Sequence, residues 1–122
     1  MERQRFSLRS RLRSFSYAFG GVRQFLVREH NARIHLVATI AVGIAACLFH
    51  VSCTEAAVLA VVSGGVWITE MLNTCIERMM DFVYPEEHQG IKFIKDLAAG
   101  AVLVAAITAV VAGSLIFIPK LL

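Results

Sequence analysis

Residues Glu70–Asp81 read EMLNTCIERMMD, and they follow directly on the apolar run Ala56–Thr69. At about 100° per helical residue, Glu70, Asn73, Glu77 and Asp81 fall within a narrow arc of one helix face. The stretch is therefore one polar stripe on the end of a hydrophobic helix. A carboxylate in hydrocarbon costs roughly 2 kcal/mol or more, so Glu70 needs either a compensating partner or a function.

The surrounding composition tells what kind of helix carries the stripe. Of the 122 residues, 57% are apolar, and they come in blocks and not as scattered amphipathic positions. Ile34–Thr54 and Leu97–Pro119 contain no Asp, Glu, Lys or Arg, and Ala56–Thr69 begins a third block between them. The class is all-α and integral to a membrane, with three transmembrane helices in a single domain over residues 1–122. The middle block falls short of the roughly 20 residues a span needs, so its helix is expected to run on through the stripe to Phe82.

Ahead of the first span, Leu8, Leu12, Phe15, Phe19, Val22 and Leu26 recur at helical spacing, with Arg9, Arg11 and Arg13 pointing away. This is a basic amphipathic helix of the kind that lies on a membrane surface. It is expected to gate lipid access, or to serve simply as a membrane anchor or a packing element. Gly20-Gly21 interrupts it, each glycine weakening a helix by about 1 kcal/mol, and a bend or break is expected there. Tyr84-Pro85 and Gly90 enclose Glu86-Glu87-His88 as a short loop between the second and third spans, and Pro119 marks the end of the third. Along that third span Ala98, Ala101, Ala105, Ala109 and Ala112 form a small-residue stripe suited to close helix contact.

Eight of the twelve basic residues (Arg3, Arg5, Arg9, Arg11, Arg13, Arg23, Arg28 and Arg33) precede Ile34, whereas the loop Val51–Glu55 has none. The positive-inside rule then places the N-terminus in the cytoplasm, together with the stripe and the loop bearing Lys92 and Lys95. The N-terminal segment lacks the layout of a signal peptide and reads as mature protein. A net charge of +3 beside membrane segments points to anionic headgroups and not to nucleic acid. Cys47, Cys53 and Cys75 are too few and too dispersed for a disulfide framework and read as packing residues.

Three clusters meet on the cytoplasmic side under this topology: Glu29–Arg33, the stripe, and Lys92–Asp96. Carboxylates with nearby lysines suit Mg²⁺-bridged phosphate, because Mg²⁺ takes oxygen ligands and ammonium groups neutralise phosphate charge. No P-loop or kinase glycine motif occurs, so a nucleotide site here belongs to neither class. Glu70 lies deepest along the stripe, where it meets a lipid hydroxyl and not bulk water, and is the candidate general base. The alternative is a hydrogen bond that only packs helices. Glu77, nearer water, and Glu29 are the candidate metal carboxylates, against a simple Glu29–Arg33 pair at i, i+4. His30, His35, His50 and His88 have no zinc spacing and read as headgroup-level side chains. Trp67 lies within the span and reads as a packing residue.

The motifs Glu29-x-Asn31-x-Arg33-Ile34-His35, Glu70-x-Leu72-Asn73-Thr74-x-Ile76-Glu77 with Asp81, and Lys95-Asp96-x-Ala98-Ala99-Gly100 together resemble the prokaryotic diacylglycerol kinase family, which includes undecaprenol kinases. The resemblance covers nearly the whole chain. It implies a small integral-membrane homotrimer of the bacterial inner membrane, with active sites shared between subunits, that transfers the γ-phosphate of ATP to a lipid alcohol with Mg²⁺. Residue by residue it implies Glu70 as general base, Glu29 and Glu77 as metal carboxylates and Asn73 as an active-site amide. Lys95 and Asp96 would be a nucleotide-contacting pair, with Glu86 and His88 on the adenine side. The first motif is closer to the undecaprenol-kinase branch, which tilts the acceptor toward a polyprenol. A non-catalytic structural or regulatory membrane protein of the same fold is the competing reading, and the intact acidic and Lys-Asp motifs argue against it.

Overall fold

The computed structural model describes residues 5–122, so Arg3 lies outside the described residues. Within them all regular structure is helical: α1 (Leu8–Arg28), α2 (His30–Leu48), α3 (Cys53–Val83) and α4 (Gln89–Leu121). The last three are long and apolar enough to cross a membrane. As the stripe requires, α3 runs unbroken through Glu70–Asp81 and one residue beyond Phe82. Between α2 and α3 the turn is tighter than the charge-free block suggests, because α2 stops at Leu48 and His50 takes a left-handed φ of 50°. Ser52 then starts α3 with a reciprocal capping box, its hydroxyl accepting from the Glu55 N–H at 3.1 Å while the Glu55 carboxylate accepts from the Ser52 N–H at 2.9 Å.

No break occurs at Gly20-Gly21, and α1 continues through both glycines. Both glycines sit in open surroundings, so neither marks a turn or a close approach. The chain turns instead at Glu29, the single non-helical residue between α1 and α2, with φ −107° and ψ 126°. Arg33 makes that corner possible. Its Nη2 donates to the Val27 carbonyl at 2.8 Å and its Nε to the Leu26 carbonyl at 3.2 Å, supplying partners to backbone oxygens that the end of α1 leaves free. Arg33 is thus a cap and not the i, i+4 partner of Glu29.

Helices α3 and α4 pack most extensively, α2 lies against α3, and α1 docks at the Glu29 end. The small buried interior consists of Phe25, Ala32, Leu59, Val66, Ala98 and Ile116. Of the alanine stripe on α4, Ala98 is buried and Ala101 is exposed, so the contact face is rotated slightly from the one read in the sequence. Far from the stripe, Lys120 pairs with Glu55 at 3.1 Å and joins the end of α4 to the start of α3. Pro119 does not stop α4, which continues to Leu121. Most large apolar side chains on the three long helices, among them Val37, Val61, Leu103 and Leu115, face outward. Lipid or further protein must cover such a surface.

Between α2 and α3, Trp67 does more than pack: its indole Nε1 donates to Thr39 Oγ1 at 2.8 Å, and its ring meets Phe25 of α1 edge-on at 6.3 Å. Thr39→Val keeps the shape and removes the acceptor, which is expected to cost about 1 kcal/mol and lower the melting temperature in detergent. An unchanged melting temperature would show that the bond contributes nothing to the α2–α3 contact.

Candidate functional site

A burial gradient runs along the stripe. Glu70 is 4% exposed and Asn73 8%, whereas Glu77 and Asp81 are open. At 1.5 Å per residue the four positions span about 16 Å along the helix axis, so one helix carries carboxylates from an enclosed setting to an accessible one. The enclosed end is supported from α2. Asn31 Nδ2 donates to Glu70 Oε1 at 3.1 Å, and His35 Nε2 stands 3.4 Å from Oε2. Asn31, His35 and Thr39 are spaced four residues apart and form a polar row on α2 facing Glu70 and Trp67 of α3. The i, i+4, i+8 spacing of this row is visible in the sequence, but nothing in that spacing pairs Asn31 or His35 with Glu70.

One turn outward, Asn73 Nδ2 donates to Glu77 Oε1 at 3.4 Å, and Asn73 Oδ1 is buried without a hydrogen-bond partner. A buried acceptor of this kind carries a desolvation cost until a donor or cation meets it. The amide nitrogen, not this oxygen, faces Glu77 here; turned about, the Asn73 amide would add a second oxygen of the type Mg²⁺ prefers beside the Glu77 carboxylate, and in that orientation the donor chemistry fits the ion. Glu29 stands at the α1–α2 corner and does not join this pair; its Oε1 accepts from Arg78 Nη2 of α3 at 2.6 Å. Among the described residues no three His, Cys, Asp or Glu side chains converge into a metal cluster. Arg78, the immediate neighbour of Glu77, is a residue the sequence reading passed over.

Beyond the stripe an open cleft of about 520 Å³ lies between the end of α3 and the start of α4. Lys95 reaches across it to Asp81, and these two charges tie the helices together at the charged end. Glu86, Lys92 and Asp96 line the same cleft. Asp96 pairs with Lys92 at 2.5 Å, an exposed i, i+4 pair of little energetic weight. Lys95 and Asp96 are therefore adjacent in sequence but hold different partners. His88 is the N-cap of α4: its Nδ1 accepts from the Gly90 N–H at 3.0 Å, and its ring meets Tyr84 edge-on at 5.7 Å. That leaves a short loop whose shape is fixed by a histidine cap and an aromatic pair, open on the side of Lys95.

On the other side of Glu70, toward the middle of the apolar helices, α2, α3 and α4 line an open, mainly apolar cavity of about 330 Å³. His35, Thr39, Ser63, Trp67, Ser114 and Phe117 are among its walls. His35 therefore belongs both to the surroundings of Glu70 and to the cavity wall.

Comparison with known proteins places this arrangement. The family profile of prokaryotic diacylglycerol kinase matches residues 16–117. A diacylglycerol kinase of Synechocystis sp. (strain PCC 6803) is 44% identical over 110 residues, covering 89% of this chain and 63% of that protein, so the chain spans less than two thirds of that relative's length. An undecaprenol kinase of Bacillus subtilis is 38% identical over 109 residues, covering 89% of both chains. A diacylglycerol kinase of Escherichia coli K12 is 30% identical over 100 residues, covering 82% of both. With its three apolar helices, its acidic stripe and a profile match over most of its length, the chain belongs to the prokaryotic diacylglycerol kinase family.

Proposed function

We propose that the protein is an ATP- and Mg²⁺-dependent lipid kinase that transfers the γ-phosphate to a membrane lipid alcohol, diacylglycerol or undecaprenol. The observation that carries this reading is the burial of Glu70 at the end of an apolar helix, on the same stripe as the open carboxylate of Glu77. A site with one enclosed and one accessible end suits a reaction between a lipid and a water-soluble phosphate donor. The names of the relatives, a diacylglycerol kinase and an undecaprenol kinase, support the same class of reaction.

In this mechanism Glu70 takes the proton from the lipid hydroxyl as the hydroxyl oxygen attacks the γ-phosphorus in line, and the bond from that phosphorus to the β,γ-bridging oxygen breaks so that ADP leaves. Burial keeps the carboxylate away from water, so that the hydroxyl it activates is the lipid's own. Glu77 would hold Mg²⁺, joined by Glu29 once released from Arg78 and by the Asn73 amide turned to present its oxygen, and the bound ion would supply neutralisation of phosphate charge. Lys95, held by Asp81 one turn outward from Glu77, balances further charge on the nucleotide phosphates, with Asp96 beside it in sequence. Glu86 and His88 sit at the adenine end of the cleft, where the cap on Gly90 and the contact with Tyr84 hold the loop in shape.

On this reading the acidic stripe faces the cytoplasm of a bacterial inner membrane with the N-terminus on that side, a placement supported by the arginines of α1. The working unit is a homotrimer. One feature supports assembly: the outward apolar faces of the long helices.

Glu70→Gln is expected to retain Mg²⁺–ATP binding while losing transfer to lipid by about 10²–10⁴, since the amide keeps the volume but cannot take the proton. Near wild-type transfer of label from radiolabelled ATP to lipid in detergent would return Glu70 to a packing role. Glu77→Gln and Glu29→Gln are instead expected to weaken Mg²⁺–ATP binding in an inserted, assembled protein; wild-type metal dependence in both variants would rule out the two-carboxylate site.

For the basic side of the cleft, Lys95→Met is expected to raise the ATP requirement and slow turnover, and Lys92→Met to matter less because Lys92 only pairs with its own helix neighbour. Equal effects on the two ATP titrations would indicate a diffuse basic field and no specific phosphate contact.

A further inference from the structure

We infer that Asn31 and His35 are positioning residues that together fix the carboxylate of Glu70, and that His35 does so through a donor at its Nε2. The inference rests on the lipid-kinase reading and adds to it two side chains for which that mechanism has no role. A carboxylate on a flexible two-carbon stem can turn about its terminal bonds, and only one orientation presents a lone pair to an incoming hydroxyl. Here each oxygen meets a different nitrogen from α2, Oε1 the Asn31 amide at 3.1 Å and Oε2 the His35 imidazole at 3.4 Å.

Both nitrogens come from one helix, a turn apart, so the two contacts set the plane of the carboxylate and not merely its location. The His35 contact is longer than an ideal N–H···O bond and closes with a shift of a few tenths of an ångström. Thr39 helps to hold this row, donating to the His35 carbonyl at 2.7 Å while accepting from Trp67 at 2.8 Å.

Placement adds a second reason for His35 in particular. Its side chain is half-buried and forms part of the wall of the apolar cavity that lies on the membrane side of Glu70. A lipid alcohol reaching Glu70 from that side passes the imidazole before it meets the carboxylate. A donor there holds Oε2, leaving Oε1, whose contact with Asn31 occupies one of its two lone pairs, able to accept the hydroxyl proton. Replacing His35 by an apolar residue would leave a buried carboxylate oxygen free to swing toward other donors. The chemistry would then suffer without loss of nucleotide binding, because Glu77 and the Lys95 cleft are untouched.

The test is a steady-state comparison in mixed micelles of wild type, His35→Leu, His35→Gln, His35→Asn and Asn31→Leu, with kcat and the KM for ATP read separately and assembly followed by size exclusion. The amide nitrogen of Gln reaches roughly the place of the imidazole Nε2, whereas that of Asn falls short. His35→Leu and Asn31→Leu are expected to lower kcat by about tenfold or more with the KM for ATP within about twofold of wild type. His35→Gln is expected to recover most of that loss and His35→Asn little of it. A kcat for His35→Leu equal to wild type, a His35→Gln as slow as His35→Asn, or a defect confined to the KM for ATP would each overturn the positioning role. If His35→Leu does not assemble, the comparison of the two polar variants decides alone. A wild-type protein that transfers phosphate to neither diacylglycerol nor undecaprenol overturns the lipid-kinase reading itself, and the inference falls with it.

Discussion

Placing Glu70 at the end of an apolar helix with 4% of its surface exposed sets the terms for everything around it. An ionised carboxylate loses its water on burial and must be given other donors, or the fold is destabilised by several kcal/mol. The donors come from α2, and this is what fixes the facing of α2 on α3. Asn31 and His35 meet the carboxylate, Thr39 continues the row to Trp67, and the Trp67 ring in turn meets Phe25 of α1. One buried carboxyl group thus organises three helices.

Charge and burial divide the molecule into two ends with different work. At the Glu55 end a capping box and the Lys120 pair simply join α3 to α4. The Glu29 end is built for access. Arg33 caps α1 and lets the chain turn in one residue, which sets Glu29 against Arg78, while Lys95 and Asp81 bridge a cleft closed by the His88 cap. The polar stripe leads from that cleft to the apolar cavity beside His35, so the water-facing and lipid-facing openings are the two ends of one helix face. On the proposed reaction, a phosphate donor and a lipid alcohol would approach it without sharing a path.

Much of this was legible in the sequence because membrane composition constrains so strongly. Charge-free blocks identified the spans, and the shortness of Ala56–Thr69 required a helix that continues through Glu70 and Glu77. Their order along it gave the burial gradient. Interhelical contacts were harder to read, since they depend on how helices are turned about their axes. The four-residue row Asn31, His35, Thr39 was present, but without knowing which face of α2 meets α3 it could equally have pointed to lipid. Arg33 and Arg78 were obscured for a related reason. Arginine near a membrane is ordinarily an interface charge, and only the corner at Glu29 turns one into a helix cap and the other into a carboxylate partner. At Gly20-Gly21 the local signal was real but weak: about 1 kcal/mol per glycine does not break a helix that its neighbours continue.

The central claim is that a lipid hydroxyl meets Glu70 in its enclosed setting. It is tested most directly with a lipid alcohol carrying a photoreactive carbene precursor on the carbon next to the hydroxyl, irradiated with the assembled protein in micelles and mapped by mass spectrometry. The account predicts covalent label on residues within about one helical turn of Glu70 on α3 and on the Asn31–His35 row of α2, competed away by unlabelled lipid alcohol. Label spread over the outward faces of α2 and α4, with none near Glu70, would contradict it.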